Sequence, residues 1–433
     1  YQDNEGNWLY HNRSFTGNHH NNTAEYRRTH FVLNGDYQQL SFEFRFNVAT
    51  YDAVDADPVN KLGFAYLNGV TYFDENGIPV TAANMELGKW YKAVVDLATE
   101  GTGWNANWYA TMADIAVGSG NVLQVDMDYR NLKGYMADTN PVTITSRDKN
   151  NLVTTYLGDG MYNINTLTAS APGTAAWQWA AMVTAPDNTH THMAVTFRFN
   201  AAYAADGVTP IDPTMSIWRG SDAGSGVTAQ IYDAETGAMV SSDNGHFKTL
   251  EIGKWYTVVI TNPSGALQTQ YRLTPCYKYS GKAMFSIDVA DRQVYTADTI
   301  TVTTPDSYAN PYIVYSKADG WHYSIFENGS SYNAWQRRTD FGGVAGAQKV
   351  AFEVRINSVS GGCTAQFGTT ETRREFYDIE TGEYLGYDNN VTLEIGKWYK
   401  VIAYNGDQGA LMGDSFRCYP GNASKEGNVS VSI

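Results

Sequence analysis

Three near-identical hexapeptides decide how this chain is read: Glu86-Leu87-Gly88-Lys89-Trp90-Tyr91, Glu251-Ile252-Gly253-Lys254-Trp255-Tyr256 and Glu394-Ile395-Gly396-Lys397-Trp398-Tyr399. Self-similarity of this kind means one folded unit written three times. Upstream of each hexapeptide lies a second landmark, Phe44-Arg45-Phe46-Asn47, Phe197-Arg198-Phe199-Asn200 and Val354-Arg355-Ile356-Asn357. Between the two landmarks stands a turn signal, Phe73-Asp74-Glu75-Asn76-Gly77, Tyr232-Asp233-Ala234-Glu235-Thr236-Gly237 and Tyr377-Asp378-Ile379-Glu380-Thr381-Gly382. Asp and Gly at these offsets are hairpin chemistry.

The arginine landmark ends a run of strict alternation. Leu40, Phe42, Phe44 and Phe46 in the first copy match Met193, Val195, Phe197 and Phe199 in the second and Val350, Phe352, Val354 and Ile356 in the third, with polar or small residues between. Period two with one apolar face specifies a half-buried strand whose register cannot slip by one residue. Each Gly-Lys-Trp-Tyr then leads into a β-branched stretch such as Val258-Val259-Ile260, which reads as a central strand. Trp90, Trp255 and Trp398, opening these strands, are expected in the core. Further strands are expected around Tyr26-Arg27-Arg28, Trp177-Gln178-Trp179 and Trp335-Gln336-Arg337. No long stretch carries a helical period. The expected fold is all-β, three tandem antiparallel β-sandwich domains spanning 1–147, 148–305 and 306–433.

Composition agrees. With 433 residues, 43% hydrophobic, 17% charged and 40 glycines, the chain has enough apolar material for several turn-rich cores. A net charge of −15 argues against nucleic acid, whose phosphates select Lys and Arg. No run of about twenty apolar residues suggests a membrane span, and the polar opening Tyr1-Gln2-Asp3-Asn4 is not a signal peptide. Three cysteines are too few for a disulfide framework. Cys363 and Cys418 could pair, or Cys276 and Cys418 could occupy equivalent strand positions; spacing leaves both open.

The arginine-bearing strand, the Asp-x-Glu-Thr-Gly hairpin and the Leu-Glu-x-Gly-Lys-Trp-Tyr strand together resemble concanavalin A-like, laminin-G-like jelly-roll modules of bacterial surface proteins and carbohydrate-active enzymes. The resemblance implies a sandwich with binding on one sheet face or in edge loops. It maps no particular site residue onto this chain. The laminarinase-like enzymes of that superfamily carry an acidic strand Glu-x-Asp-x-x-Glu. Here Asp378-Ile379-Glu380-Thr381-Gly382-Glu383 lacks the first Glu and reads as a hairpin.

No Gly-x-Ser-x-Gly elbow or other nucleophile-and-base arrangement is present, so no catalytic residues are expected. No cofactor is expected either, apart from a possible structural calcium held by Asp52, Asp55 and Asp57 or by Asp206 and Asp212; solvated acidic loops explain the same residues. His19, His20, His190 and His192 read as loop histidines. Arg45, Arg198 and Arg355 either pair with a neighbouring strand, the Glu of the hexapeptide being one candidate, or present a guanidinium to a ligand.

Tryptophans outside the repeated frame carry the ligand expectation: Trp104 and Trp108 in the first unit, Trp179 and Trp218 in the second, and Trp335 in the third, with Arg355 beside them. An exposed indole stacks on the apolar face of a sugar while nearby amides and guanidinium groups bond its hydroxyls. The expectation is therefore a non-catalytic extracellular protein, secreted or held at a cell surface, that binds a glycan or polysaccharide through several linked modules. Two other outcomes fit the Tyr-rich composition: a self-assembling surface, filament or phage decoration protein, and an adhesin for a host protein such as mucin or immunoglobulin.

Overall fold

In a computed structural model, residues 10–16, 28–31, 37–51, 62–65, 69–96, 106–112, 123–171, 173, 175–218, 227–241, 246–247, 250–262, 267–279, 282–296, 302–303, 312–316, 320–325, 339–341, 349–359, 367–368, 373–387, 391–404, 416–420 and 429–433 are described. The chain folds into antiparallel β-sandwiches in tandem. Among the described residues the helical turns are 3₁₀, at Ala82–Asn84 and Ala176–Trp179, and no helix is long and apolar enough to cross a membrane.

The second unit shows the architecture most fully. Its seven-stranded sheet runs Val153–Gly158, Met161–Asn165, Met284–Tyr295, His192–Tyr203, Trp255–Thr261, Thr228–Asp233 and Met239–Ser241. Its five-stranded sheet runs Thr143–Ser146, Ala181–Thr184, Gln270–Pro275, Met215–Trp218 and His246–Phe247. Met193, Val195, Phe197 and Phe199 from the first sheet meet Val183, Ile217, Tyr271 and Leu273 from the second in one buried core. Burying apolar side chains of this size contributes roughly 1.5–3 kcal/mol each, before chain entropy is charged against it. The alternation read from sequence is thus the inward face of the sheet.

The same strand order recurs on either side. The first unit orders Tyr10–Thr16, Leu123–Tyr135, Gln39–Tyr51, Tyr91–Asp96, Val70–Phe73 and Pro79–Val80, beside a three-stranded sheet of Arg28–Phe31, Ala106–Met112 and Leu62–Ala65. The third orders Tyr312–Ser316, Gly320–Ile325, Val429–Ser432, Lys349–Val359, Trp398–Tyr404, Arg373–Asp378 and Tyr384–Tyr387, beside a four-stranded sheet. Pairing places Thr143–Ser146 with the second sandwich and Val302–Thr303 with the third, a few residues ahead of the divisions expected at 147/148 and 305/306.

The hexapeptide explains itself in this frame. Gly88, Gly253 and Gly396 all take left-handed backbone, with φ of 81°, 82° and 83°, which glycine adopts without penalty. That turn aims each glycine N–H at the arginine strand, donating to Phe46 O at 2.8 Å, Phe199 O at 2.7 Å and Ile356 O at 2.8 Å. Tyr91, Tyr256 and Tyr399 are buried, and each hydroxyl accepts the N–H of the hexapeptide's own Glu at 2.8, 2.9 and 2.9 Å.

The tryptophans depart from expectation. Trp90, Trp255 and Trp398 are half-buried rather than core, and the guanidinium carbons of Arg45, Arg198 and Arg355 stack over them at 4.8, 4.7 and 4.9 Å. The tyrosine, one position on, takes the inward face because side chains alternate along a strand. The motif asparagine also has a structural job: the ladder shifts register between Phe46 and Val48, Phe199 and Ala201, and Ile356 and Ser358, so Asn47, Asn200 and Asn357 are the extra residues of recurrent bulges.

Candidate functional site

The outer face of the second unit's five-stranded sheet gathers the exposed aromatic and cationic side chains. Trp218 ends the strand Met215–Trp218 directly opposite Arg272. Along Gln270–Pro275, Tyr271 and Leu273 enter the core, so Arg272 points outward by alternation. Its guanidinium carbon lies 3.7 Å from the Trp218 ring centroid, a cation–π stack that fixes both groups. Trp218 nevertheless keeps 44% of its surface exposed, and Arg272 Nε has no hydrogen-bond partner.

These side chains border a groove of about 490 Å³ that also touches Asn188, Gln268 and Gln270. Amide groups thus flank an indole and a guanidinium. Such a lining suits a ligand that is uncharged, hydroxylated and apolar on one face. Beside it Arg147 stacks on Trp177 at 4.9 Å, and Trp177 is 57% exposed. Burial first and the charge of Arg147 second lower the pKa of Arg272, so the two arginines act on one face.

The expected site residues have separate fates. Trp179 is corrected: it is 0% exposed, packs in the core and donates its indole N–H to Pro275 O at 2.8 Å, leaving no face for a ligand. The strand expected at Trp177-Gln178-Trp179 is instead the 3₁₀ turn Ala176–Trp179, held as Gln178 N–H donates to Ala175 O at 2.9 Å and Gln178 Oε1 accepts from Ala175 N–H at 2.9 Å. Two residues on a strand share a face, whereas on a 3₁₀ turn they do not. Trp177, which the sequence reading passed over, therefore takes the outer position.

Arg355 belongs to the stacked arginine series and donates to Asn357 Oδ1 at 2.7 Å. Trp104 and Trp335 lie outside the described residues; Trp108 lies in the strand Ala106–Met112, with only its backbone described. Among the possible calcium ligands, Asp52, Asp55 and Asp57 lie outside the described residues. Asp206 accepts from Val208 N–H at 2.9 Å and from the Thr209 N–H and hydroxyl, which hold it at a pKa of about 2. Among the described residues no group of three or more His, Cys, Asp or Glu converges. Cys276 is buried and free, its thiol pushed up to about 12 by burial, and Cys363 lies outside the described residues.

No family model matches the chain, and no curated protein matches it. Among solved structures, the N-terminal CBM22-1-CBM22-2 tandem domain of Paenibacillus barcinonensis Xyn10C aligns over 67% of this chain and 90% of its own, at 10% identity and a TM-score of 0.16. At that TM-score the likeness decides neither fold nor ligand here.

Proposed function

We propose that this chain is a non-catalytic carbohydrate-binding protein acting outside the cell, built from three concanavalin A-like sandwich units, with a sugar platform at Trp218 and Arg272. The observation that carries the reading is the exposed Trp218 ring, clamped on one side by Arg272 and bordered by amides. Stacking on an indole holds a sugar ring through its C–H face, and the guanidinium with Gln268 and Gln270 supplies donors for its hydroxyls. Repetition of the unit along one chain lets weak sites act together. A neutral-glycan array should give hits that weaken about tenfold in Trp218→Ala, a loss of about 1.4 kcal/mol. An array with no hits, or hits indifferent to that substitution, would remove the reading.

One observation favours a second reading, self-assembly through a second copy of the chain. In the second unit Met239, on the outer edge of its sheet, is 4% exposed beneath the third unit's hairpin, whereas its counterpart Tyr384 is 50% exposed and neighbouring Tyr387 56%. Apolar and aromatic surface at that position is where this repeat buries a partner. Sedimentation velocity decides it: growth of mass with concentration, abolished in Tyr384→Asp/Tyr387→Asp, supports assembly, and a monomer throughout rules it out.

A further inference from the structure

Consecutive units meet the same way twice, yet the two seams are filled differently. At the first, Phe73 and Val94 of the first unit pack against Leu157 and Met161 of the next unit's hairpin. At the second, Tyr232, Met239 and Val259 pack against Val314 and Tyr315. The register makes Gln39, opposite Tyr135 and Asp96, the counterpart of His192, opposite Tyr295 and Thr261.

His192 closes the second seam. It stacks on Tyr295 with centroids 5.1 Å apart and planes at 12°, Tyr315 meets it edge-on, and Tyr295 donates its hydroxyl to Tyr315 O at 2.9 Å. The space left there is about 230 Å³. At the first seam the equivalent Tyr135 ring is drawn against Gly158, where a Cβ would sit 2.1 Å from it, and a carboxamide replaces the imidazole. What remains is a cavity of about 940 Å³, near the top of the roughly 300–1,000 Å³ range of ligand pockets.

Both units contribute its wall, with Gln39, Thr71 and Tyr72 on one side and Thr154, Tyr156 and Tyr162 on the other. The seam is fixed around it. Thr71 and Thr155 hydroxyls pair at 3.0 Å, Arg292 bridges to Asp138 at 2.6 Å, and Tyr162 donates to the same carboxylate at 2.8 Å. Two polar atoms in this wall are unspent: Gln39 Oε1, on a residue only 5% exposed, and Thr154 Oγ1, neither with a hydrogen-bond partner. Buried amides and hydroxyls are ordinarily satisfied, so two orphaned polar atoms on residues that line one cavity point to groups supplied there from outside the chain.

We infer that the seam between the first and second units is a second binding site, for a neutral oligosaccharide. The chemistry of the wall selects that class. Its hydroxyls and carboxamides suit hydroxyl groups, and its tyrosine rings offer apolar faces. Its charged members, Asp96, Asp138 and Lys149, sum to one negative charge, which disfavours an anionic ligand, and Asp138 is already committed to Arg292 and Tyr162.

The inference rests on the glycan reading above, and the test separates the two. Calorimetry of the full chain against gluco-, manno-, galacto- and xylo-configured hexaoses should give two sites for at least one of them. Trp218→Ala should leave the second site intact, while Gln39→Leu and Thr154→Val should each weaken it at least fivefold with the Trp218 site unchanged. Binding abolished entirely by Trp218→Ala would overturn the seam site and leave the platform standing; no binding by the unaltered chain would overturn both. Thermal unfolding accompanies each variant, and a Gln39→Leu protein that is more stable but binds as before would mark the cavity as a packing defect and overturn the inference.

Discussion

Arg198 and Asp288 face each other across adjacent strands, 2.7 Å apart, with the carboxylate almost fully buried and the guanidinium stacked on Trp255. Arg45 and Asp128 repeat the arrangement at 2.5 Å over Trp90. In these two units the partner is thus a cross-strand Asp and not the Glu of the hexapeptide, while in the third Ser432 stands opposite Arg355. Asn163 also donates to Asp288, at 2.9 Å. Removing the guanidinium by Arg198→Ala strips a charge-assisted bond from a buried carboxylate and should cost about 2–3 kcal/mol by urea unfolding. Asp288→Asn, which keeps shape and one acceptor, should cost less; equal stability of all three proteins would mean the stack alone holds the strand.

The left-handed glycine of the hexapeptide can be tested without steric ambiguity, because an added Cβ at Gly253 meets nothing within 4 Å. Gly253→Ala should therefore lose only the conformational term, about 1–2 kcal/mol, read as a lowered unfolding midpoint. A neutral substitution would show that the turn opens without consequence for Phe199.

The hairpin carboxylate of the third unit should titrate far below an ordinary aspartate. Lys397, 2.6 Å away, and the Thr381 and Glu380 N–H groups hold Asp378 at about 2. A depressed carboxylate contributes stability above the unfolded value of about 3.9 and loses it as pH falls through about 2. Carboxyl chemical shifts should report that midpoint in the wild type, and Lys397→Ala should move it upward. A midpoint near 4 in both proteins would deny the contact.

Much of this was legible in the sequence because the repeats sample the same physics three times. The alternation of Phe42, Phe44 and Phe46 fixed an inward face, and Asp233 with Gly237 fixed a hairpin, since both are local rules. The Arg198–Asp288 partnership was not legible, because the strands that make it are 90 residues apart in sequence. Trp179 misled for another reason: strand and 3₁₀ turn differ by one local bond pattern, and Gln178 supplied it through its own side chain. The seam between the first two units left no signal in either half alone; it exists only where Gln39 and Thr154 are brought together.

Acid should loosen the seam between the second and third units before it unfolds the hairpins. Burial pushes His192 down to about 4, so the folded seam holds the neutral ring while an unfolded chain binds a proton near 6.5. The group's stabilisation is therefore complete above about pH 6.5 and falls away progressively towards pH 4. The rings packed on it are those of Tyr295 and Tyr315, and the Thr191 hydroxyl pairs with its Nδ1 at 2.8 Å. His192→Gln should flatten the dependence of the unfolding midpoint on pH over this range; an unchanged profile would assign the slope elsewhere.

Trp177 and Trp179 sit two residues apart and should part company in every assay. Trp179→Ala opens a large void beneath the five-stranded sheet and orphans the Pro275 carbonyl, at a cost of about 3–5 kcal/mol, with Trp179→Phe retaining most of the packing. Trp177→Ala removes an exposed ring that Arg147 covers on one side, so stability should shift by less than about 0.5 kcal/mol. Sugar binding reverses the order. Exposed under Arg147, whose charge reaches Arg272 across the same sheet face, Trp177 should contribute a few-fold to affinity for hexaoses and little to that for disaccharides, while Trp179→Phe binds as the wild type does. Calorimetry on these two variants reads the difference, and a loss of affinity confined to Trp179→Phe would place the ligand somewhere other than this sheet face.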